Sequence, residues 1–271
     1  MDKRLIVLDL DNTLLNEYGK VSDYSKMCLK KYEELGHLVV LASQDNYSEM
    51  NRIHEDLNLH GPIICQAGGE LHYYNPSIED EVMSIDIPTL KKVFKDQKES
   101  IYSAFYHFRN NLYIHNRLSI LQPLYGITSQ TEIHENNFLD LDLKNPNMIF
   151  MVIHVAKSDE FKKYIESYKD YFQLTSLGKD LNYELFYLNI KNVNKMYAVL
   201  EIMLKLNYKE SQLIAVGDSI KDAPLLKLRG ETCAMINGEK EAKECAKYIS
   251  EFDNTKDGAC KFVNKILNIN I

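Results

Sequence analysis

Residues 5–8, Leu-Ile-Val-Leu, form an unbroken apolar run that follows Asp2-Lys3-Arg4 and stops at Asp9. A run this short predicts a strand covered on both faces, as parallel sheets require. The same pattern returns at Leu38-Val39-Val40-Leu41-Ala42, at Pro62-Ile63-Ile64-Cys65 and at Leu213-Ile214-Ala215-Val216. Between the first two strands, Ser22 or Asp23 is placed to cap a helix. Met27, Cys28, Tyr32 and Leu35 supply its apolar stripe, and Gly36 its stop. A second helix is expected over roughly 46–58. Alternation of strand and helix predicts an α/β fold with a doubly wound parallel sheet.

The pattern changes near residue 70. Residues 71–74 and 82–85 read as the arms of a hairpin, and 101–108 and 112–115 flank the turn signal Arg109-Asn110-Asn111. A strand over 147–155, a helix over 159–172 and a closing strand over 184–190 follow. This tyrosine-rich stretch is read as an inserted α+β domain spanning 84–182, with the core made of 1–83 and 183–271. The core pattern resumes with a helix over 193–206, whose expected apolar face is Val193, Met196, Tyr197, Val199, Leu200 and Leu204. The strand at 213–216 ends in Gly217-Asp218. Cys233-Ala234-Met235-Ile236 and a helix over 239–247 complete the core. Neither an internal repeat nor a low-complexity tract is apparent.

The 271 residues suffice for a large core, and 45% hydrophobic with 26% charged residues is ordinary for a globular protein. A formal charge of −7 argues against nucleic-acid binding and against a basic membrane surface. It leaves an anionic substrate open, because a metal or a few lysines can invert the field at one site. Five dispersed cysteines without a CxxC pair read as reduced thiols. With no apolar run of membrane-spanning length and a strand within nine residues of the start, the expectation is a cytoplasmic protein without a signal peptide.

Candidate chemistry begins where the first strand ends, at Asp9-Leu10-Asp11-Asn12-Thr13. Residues i and i+2 of an extended chain share a side, so Asp9 and Asp11 start on one face at the strand's carboxyl end, where open α/β sheets bind ligands. Two like charges there are costly unless a cation or hydrogen bonds neutralise them. Taken alone, the segment also fits a surface strand end with an Asp-Asn turn. The segment resembles the first signature, DxDxT, of the haloacid dehalogenase-like phosphohydrolases, and three later segments recur in the family's order. Ser43, in Leu41-Ala42-Ser43-Gln44-Asp45, stands where that family places a phosphate-binding hydroxyl. Lys195 stands near a helix start after the insertion. Gly217-Asp218-Ser219-Ile220-Lys221-Asp222 is similar to the GDxxxD form.

The Cof-type sugar-phosphatase branch carries the same insertion, and the tail Ala223-Pro224-Leu225-Leu226 is similar to that branch and to the mannosyl-3-phosphoglycerate phosphatases within it. The resemblance implies a Rossmann-like core with a cap domain over the site. It implies a Mg²⁺-dependent phosphomonoesterase acting on a small phosphorylated metabolite, such as a sugar phosphate, through an aspartyl phosphate. Asp9 is then the nucleophile and Asp11 the general acid and base. Mg²⁺ is held by Asp9, the Asp11 carbonyl and Asp218. Phosphate oxygens are bound by Ser43, Lys195 and amides near Asn12. Asp222 lies behind them, orienting Lys195 or a metal-bound water.

No nucleic-acid, membrane or protein partner is expected. Three positions depart from the branch: Asp45 replaces an arginine, Ala67 an asparagine and Lys221 an asparagine. These departures keep a low-turnover binding or regulatory protein in view, beside a phosphotransferase or phosphomutase that passes the phosphate to another hydroxyl.

Overall fold

The computed structural model describes residues 2–270. β1 (Leu5–Asp9) leads through a tight loop into α1 (Asp23–Glu34), β2 (Leu38–Ala42), α2 (Tyr47–Asp56), β3 (Ile63–Cys65), β4 (Glu70–His72) and β5 (Glu81–Val82). Then come α3 (Ile87–Asp96), β6 (Ile101–Phe108), β7 (Asn111–His115), β8 (Glu132–Glu135), β9 (Met148–His154), α4 (Ser158–Glu166), β10 (Phe172–Lys179) and β11 (Tyr183–Ile190). The chain closes with α5 (Lys195–Leu206), β12 (Leu213–Gly217), α6 (Ala223–Leu226), β13 (Glu231–Ala234), α7 (Lys240–Cys245), β14 (Tyr248–Ile249) and α8 (Gly258–Leu267).

Two compact units result. One holds the chain up to Asp45, Met50–Glu81 and the chain from Asn194 on; the other holds Asn46–Glu49 and Val82–Val193. The return to the first unit thus falls at Asn194, not at residue 183. The reason is β11, which pairs with β9 and β10 and so completes the second sheet.

The first unit is built on a sheet of order β14-β13-β12-β1-β2-β3-β4-β5. β1 lies parallel to β12 on one side and to β2 on the other, and the chain winds outward both ways from it. The switch point therefore falls between the carboxyl ends of β1 and β12, where a crevice forms in such sheets. Leu5 to Leu8 are wholly covered. Leu5 and Val7 pack with Val40, Leu213, Ala215 and the α5 residues Ala198, Val199, Ile202 and Met203.

Two helices turn differently from expectation. In α1, Ser22 Oγ accepts from the Ser25 amide at 3.0 Å, as a cap should. The buried stripe is Ser25, Cys28, Leu29 and Tyr32, while Met27 and Leu35 are exposed. In α5 the expected face is overturned in part: Val199 is covered and Met196 packs against the core as expected, but Leu200 and Leu204 are exposed, and Lys195, Ala198, Ile202 and Met203 are covered instead. Both sides of α5 are apolar enough to pack, so its hydrophobic pattern did not choose between them. The strand side of the sheet did, and it carried Lys195 inward with the i, i+3, i+4, i+7 stripe.

The second unit has a six-stranded sheet of order β10-β11-β9-β6-β7-β8. The hairpin of β6 and β7 turns through Arg109 and Asn110, with Phe108 opposite Asn111. The helix expected over 159–172 stops at Glu166, and the strand β10 was not foreseen. Its Gln173, Ser176 and Lys179 dilute the apolar alternation, which an edge strand facing solvent tolerates.

His107, on β6, is 9% exposed, and burial pushes its imidazole down to about 4 from an ordinary 6.5 despite a hydrogen bond with the Tyr125 backbone. The folded state thus resists protonation that the unfolded chain accepts. Stability is complete above pH 6.5 and is lost as pH falls from there toward 4. Between pH 7 and pH 5 the loss is expected to be about 2 kcal/mol. Urea unfolding of His107→Gln, followed by fluorescence, should flatten that slope; an unchanged slope would assign it to other groups.

Among the described residues no helix is long and apolar enough to cross a membrane, and the five cysteines are unpaired.

Candidate active site

β1 delivers Asp9 to the switch point, 8% exposed, and the chain then leaves the sheet at once. Asp11 stays extended (φ −63°, ψ 134°) and Asn12 turns left-handed (φ 54°), a conformation asparagine tolerates better than most residues. The Leu15 amide closes the loop on the Leu10 carbonyl at 2.9 Å. Asn237 Nδ2 donates to the Asn12 carbonyl at 2.8 Å, and Thr13 Oγ1 donates to Asp218 Oδ1 at 3.3 Å. Asp11 and Asn12 are exposed on this loop, while Asp9 and Thr13 are buried beneath it.

Lys195 begins α5 behind the cap Asn194, whose side chain accepts from the Tyr197 amide at 3.1 Å. Its side chain is 2% exposed, and the ammonium donates to Asp9 Oδ1 and, at 2.7 Å, to Asp222 Oδ1. The other Asp222 oxygen accepts from the Asp218 amide, the Ser219 amide and Ser219 Oγ, each at 3.1 Å. Gly217 is required for this approach, since a Cβ there would lie 2.5 Å from Asp222 Cγ. Asp222 is therefore saturated with donors. Burial pushes its carboxyl up, but the Lys195 charge and these hydrogen bonds outweigh burial and hold it below the usual range.

Asp9 goes the other way. Burial pushes its carboxyl well above the usual range, Lys195 pulls against it, and the charges of Asp222 and Asp218 push it further up. Asp218 is raised as well, chiefly by burial. Lys195 is raised in spite of burial, because Asp9 and Asp222 both favour its charged form. One ammonium thus serves two carboxylates while Asp218 stands beside them, and the surplus is negative.

Carboxylate oxygens of Asp9, Asp218 and Asp222 lie within 4.8 Å of one another. With Asp222 committed to Lys195 and the amides, the oxygens left to a ligand belong to Asp9 and Asp218. Two hard oxygen donors with raised pKa values suit a divalent cation, which would offset the surplus charge.

Ser43 directly follows β2, whose Ala42 lies opposite Asp9 in the parallel register. Its hydroxyl is engaged: Oγ donates to Asp45 Oδ2 at 2.9 Å and accepts from the Asp45 amide at 3.2 Å. Asp45 is raised by burial, lowered by the Ser43 hydrogen bond and raised again by the charge of Asp11. Lys221 turns to the same loop, donating to Gln44 Oε1, and burial together with the Lys195 charge lowers its pKa. The fold thus gathers Asp9, Lys195, Asp218 and Asp222 in one constellation. It leaves Asp11 and Asn12 on the exposed loop and pairs Ser43 with Asp45. Thr13, Ser219 and Asn237 were not singled out beforehand. Thr13 and Ser219 lay inside motifs already noted, whereas nothing in the sequence near Asn237 marks it.

The family model of the haloacid dehalogenase-like hydrolases matches residues 6–263. The chain belongs to that family. Among similar proteins, MG265 of Mycoplasma genitalium is 25% identical, with 98% of this chain and 99% of that protein covered. The 5-amino-6-(5-phospho-D-ribitylamino)uracil phosphatase YcsE of Bacillus subtilis is 22% identical over 97% of this chain and 95% of its own. The crystal structure of TM0651 from Thermotoga maritima superposes with a TM-score of 0.82 at 19% identity, covering 100% of this chain and 98% of that one. The matches to these proteins span nearly the whole length of this haloacid dehalogenase-like hydrolase.

Proposed function

We propose that this phosphatase hydrolyses a phosphate monoester of a small metabolite, a sugar phosphate or related compound, with Asp9 as the nucleophile. The observation that carries the reading is the Lys195 ammonium bonded to both Asp9 and Asp222 at the switch point, with Asp218 beside them. Lys195 offsets part of the burial of Asp9 by favouring its charged form, and its remaining N–H would be available to an anion approaching Asp9. Asp9 attacks phosphorus and becomes an aspartyl phosphate while Asp11 protonates the leaving oxygen. Asp11 then takes a proton from the water that attacks the phosphoaspartate, and phosphate leaves. Exposure of Asp11 on the loop suits a group that exchanges protons with solvent.

Asp9, Asp218 and the Asp11 carbonyl would hold Mg²⁺, which when bound screens the Asp9 charge from the anionic substrate. Amides near Asn12, with Ser43, would bind the phosphate oxygens, and Asp222 fixes Lys195. The inserted unit is the candidate for selecting the leaving group. Two relatives named for small phosphorylated metabolites support that class: the Bacillus subtilis enzyme above and the phosphoglycolate phosphatase of Staphylothermus marinus, 24% identical.

The test is phosphate release from an aryl phosphate and a panel of metabolite phosphates, with and without Mg²⁺. Metal-dependent release is expected. Phosphate transfer to an acceptor alcohol with no release to water would favour a transferase, and absence of both would favour a binding protein.

Lys221 adds a prediction. A cation next to Asp222 opposes a second cation at Asp218, so Lys221→Asn is expected to lower the Mg²⁺ concentration for half-maximal rate about threefold. An unchanged or higher requirement would mean that the bond to Gln44 already directs the ammonium away.

A further inference from the structure

β3 and β4 are joined by Gln66, Ala67, Gly68 and Gly69, and three successive residues of this turn have positive φ: 48°, 55° and 106°. Left-handed backbone costs roughly 1–2 kcal/mol at each non-glycine position, so Gln66 and Ala67 hold it only if their surroundings impose it. The turn touches both sides of the active site. The Gln66 amide donates to the Asp45 carbonyl and the Ala67 amide to the Ser43 carbonyl, both at 2.9 Å. On its other side, a Cβ on Gly68 would lie 2.3 Å from the Asn194 carbonyl oxygen and 3.1 Å from the Lys195 nitrogen. The backbone of the turn is thus the seat on which the first residue of α5 rests.

What imposes the turn is a chain of buried polar side chains. Gln66 Nε2 donates to Glu70 Oε1 at 2.6 Å, and Glu70 Oε2 lies 2.9 Å from His72 Nε2. His72 Nδ1 lies 3.0 Å from Asp80 Oδ2, and Asp80 Oδ1 accepts from the Tyr73 amide at 2.8 Å. Glu70 is wholly covered and His72 is 3% exposed. A carboxylate oxygen faces each imidazole nitrogen. A buried carboxylate costs several kcal/mol in desolvation, which apolar residues at these positions would avoid. Such a network adds directionality rather than net stability.

We propose that Gln66, Glu70, His72 and Asp80 are positioning residues for Lys195. They hold the left-handed turn against the start of α5 and so set the ammonium against Asp9. The kinetic part of this inference rests on the phosphatase reading above; the placement of Lys195 does not.

The experiment uses full-length protein labelled with ¹⁵N-lysine, in which the Lys195 ammonium resonance is the one missing from Lys195→Met. In Glu70→Gln, which keeps the side-chain shape, that resonance is expected to shift and broaden. In the Mg²⁺-dependent phosphatase assay kcat is expected to fall about tenfold with KM changed less than twofold. A resonance in its wild-type place with kcat unchanged would overturn the proposal, as would a loss of activity that merely follows the folded fraction in a melting curve. Should Glu70→Gln fail to fold, Asp80→Asn, at the partly exposed end of the chain, is read the same way. A wild type without turnover would sink the phosphatase reading alone, and the resonance would still decide this one.

Discussion

Asp9→Asn is expected to lower phosphate release by at least about 10⁴-fold and, in the same protein, to raise the melting temperature measured without metal. The first effect follows if the carboxylate is the group that bonds phosphorus, because an amide oxygen is a far weaker nucleophile. The second follows from burial and from Asp218 and Asp222, which together disfavour the charge on Asp9 more than Lys195 favours it. Asparagine removes that charge and keeps an oxygen to accept from Lys195.

The sign with pH is fixed by the raised carboxyl. Its cost to the fold is full above the folded pKa and fades as pH falls through it toward the unfolded value. The gain from Asp9→Asn should therefore be largest at neutral and alkaline pH and shrink in acid. A rise of about 3 °C at pH 8 is the expected scale for a chain of this length. Calorimetry at pH 8 and pH 5, beside a phosphate assay, reads both effects. A melting point that drops at pH 8 would mean that the Asp9–Lys195 pair is net stabilising, and retained turnover would move the nucleophile elsewhere.

Lys195→Met is expected to cost about 3–5 kcal/mol of stability, the usual cost of stripping one partner from a buried ion pair. Methionine fills the stem's volume among the α5 core residues, so the loss comes from charge and not from a cavity. Asp9 and Asp222 are left facing each other with Asp218 nearby. The double variant Lys195→Met with Asp222→Asn should recover part of the loss, because one stranded charge is gone while the amide oxygen still accepts from Ser219. Urea unfolding of both variants gives the two free energies, and activity should be absent from each. A single-variant loss under about 1 kcal/mol would show that the two buried pairs contribute no more than exposed ones do.

Much of this was legible from runs and motifs. Leu5–Leu8, Leu38–Leu41 and Leu213–Val216 read as buried strands because nothing else accommodates such short apolar runs, and pairing β1 between β2 and β12 followed the doubly wound pattern. Asp9 and Asp218 announced themselves as acids at strand ends, and Asp222 as the second acid of the GDxxxD-like segment. The inward turn of Lys195 was harder to read. A signal existed, since Lys195 lies in phase with Ala198, Val199, Ile202 and Met203, but Leu200 and Leu204 offered a competing face. The edge strand β10 was hidden by its polar residues, and the insertion's far boundary moved because β11 pairs with β9 and β10.

Asn237, 225 positions beyond Asn12, reaches the Asn12 carbonyl because β13 lies beside β12. By itself the sequence determined the core strands, the insertion between its motifs and the acids at the strand ends, because these depend on local periodicity and turn chemistry. Tertiary structure alone decided that one buried ammonium serves two carboxylates. It also decided that a left-handed turn seats Lys195. Those pairings join residues up to 186 positions apart, and packing selects them by excluding water and matching charge, which no local pattern records.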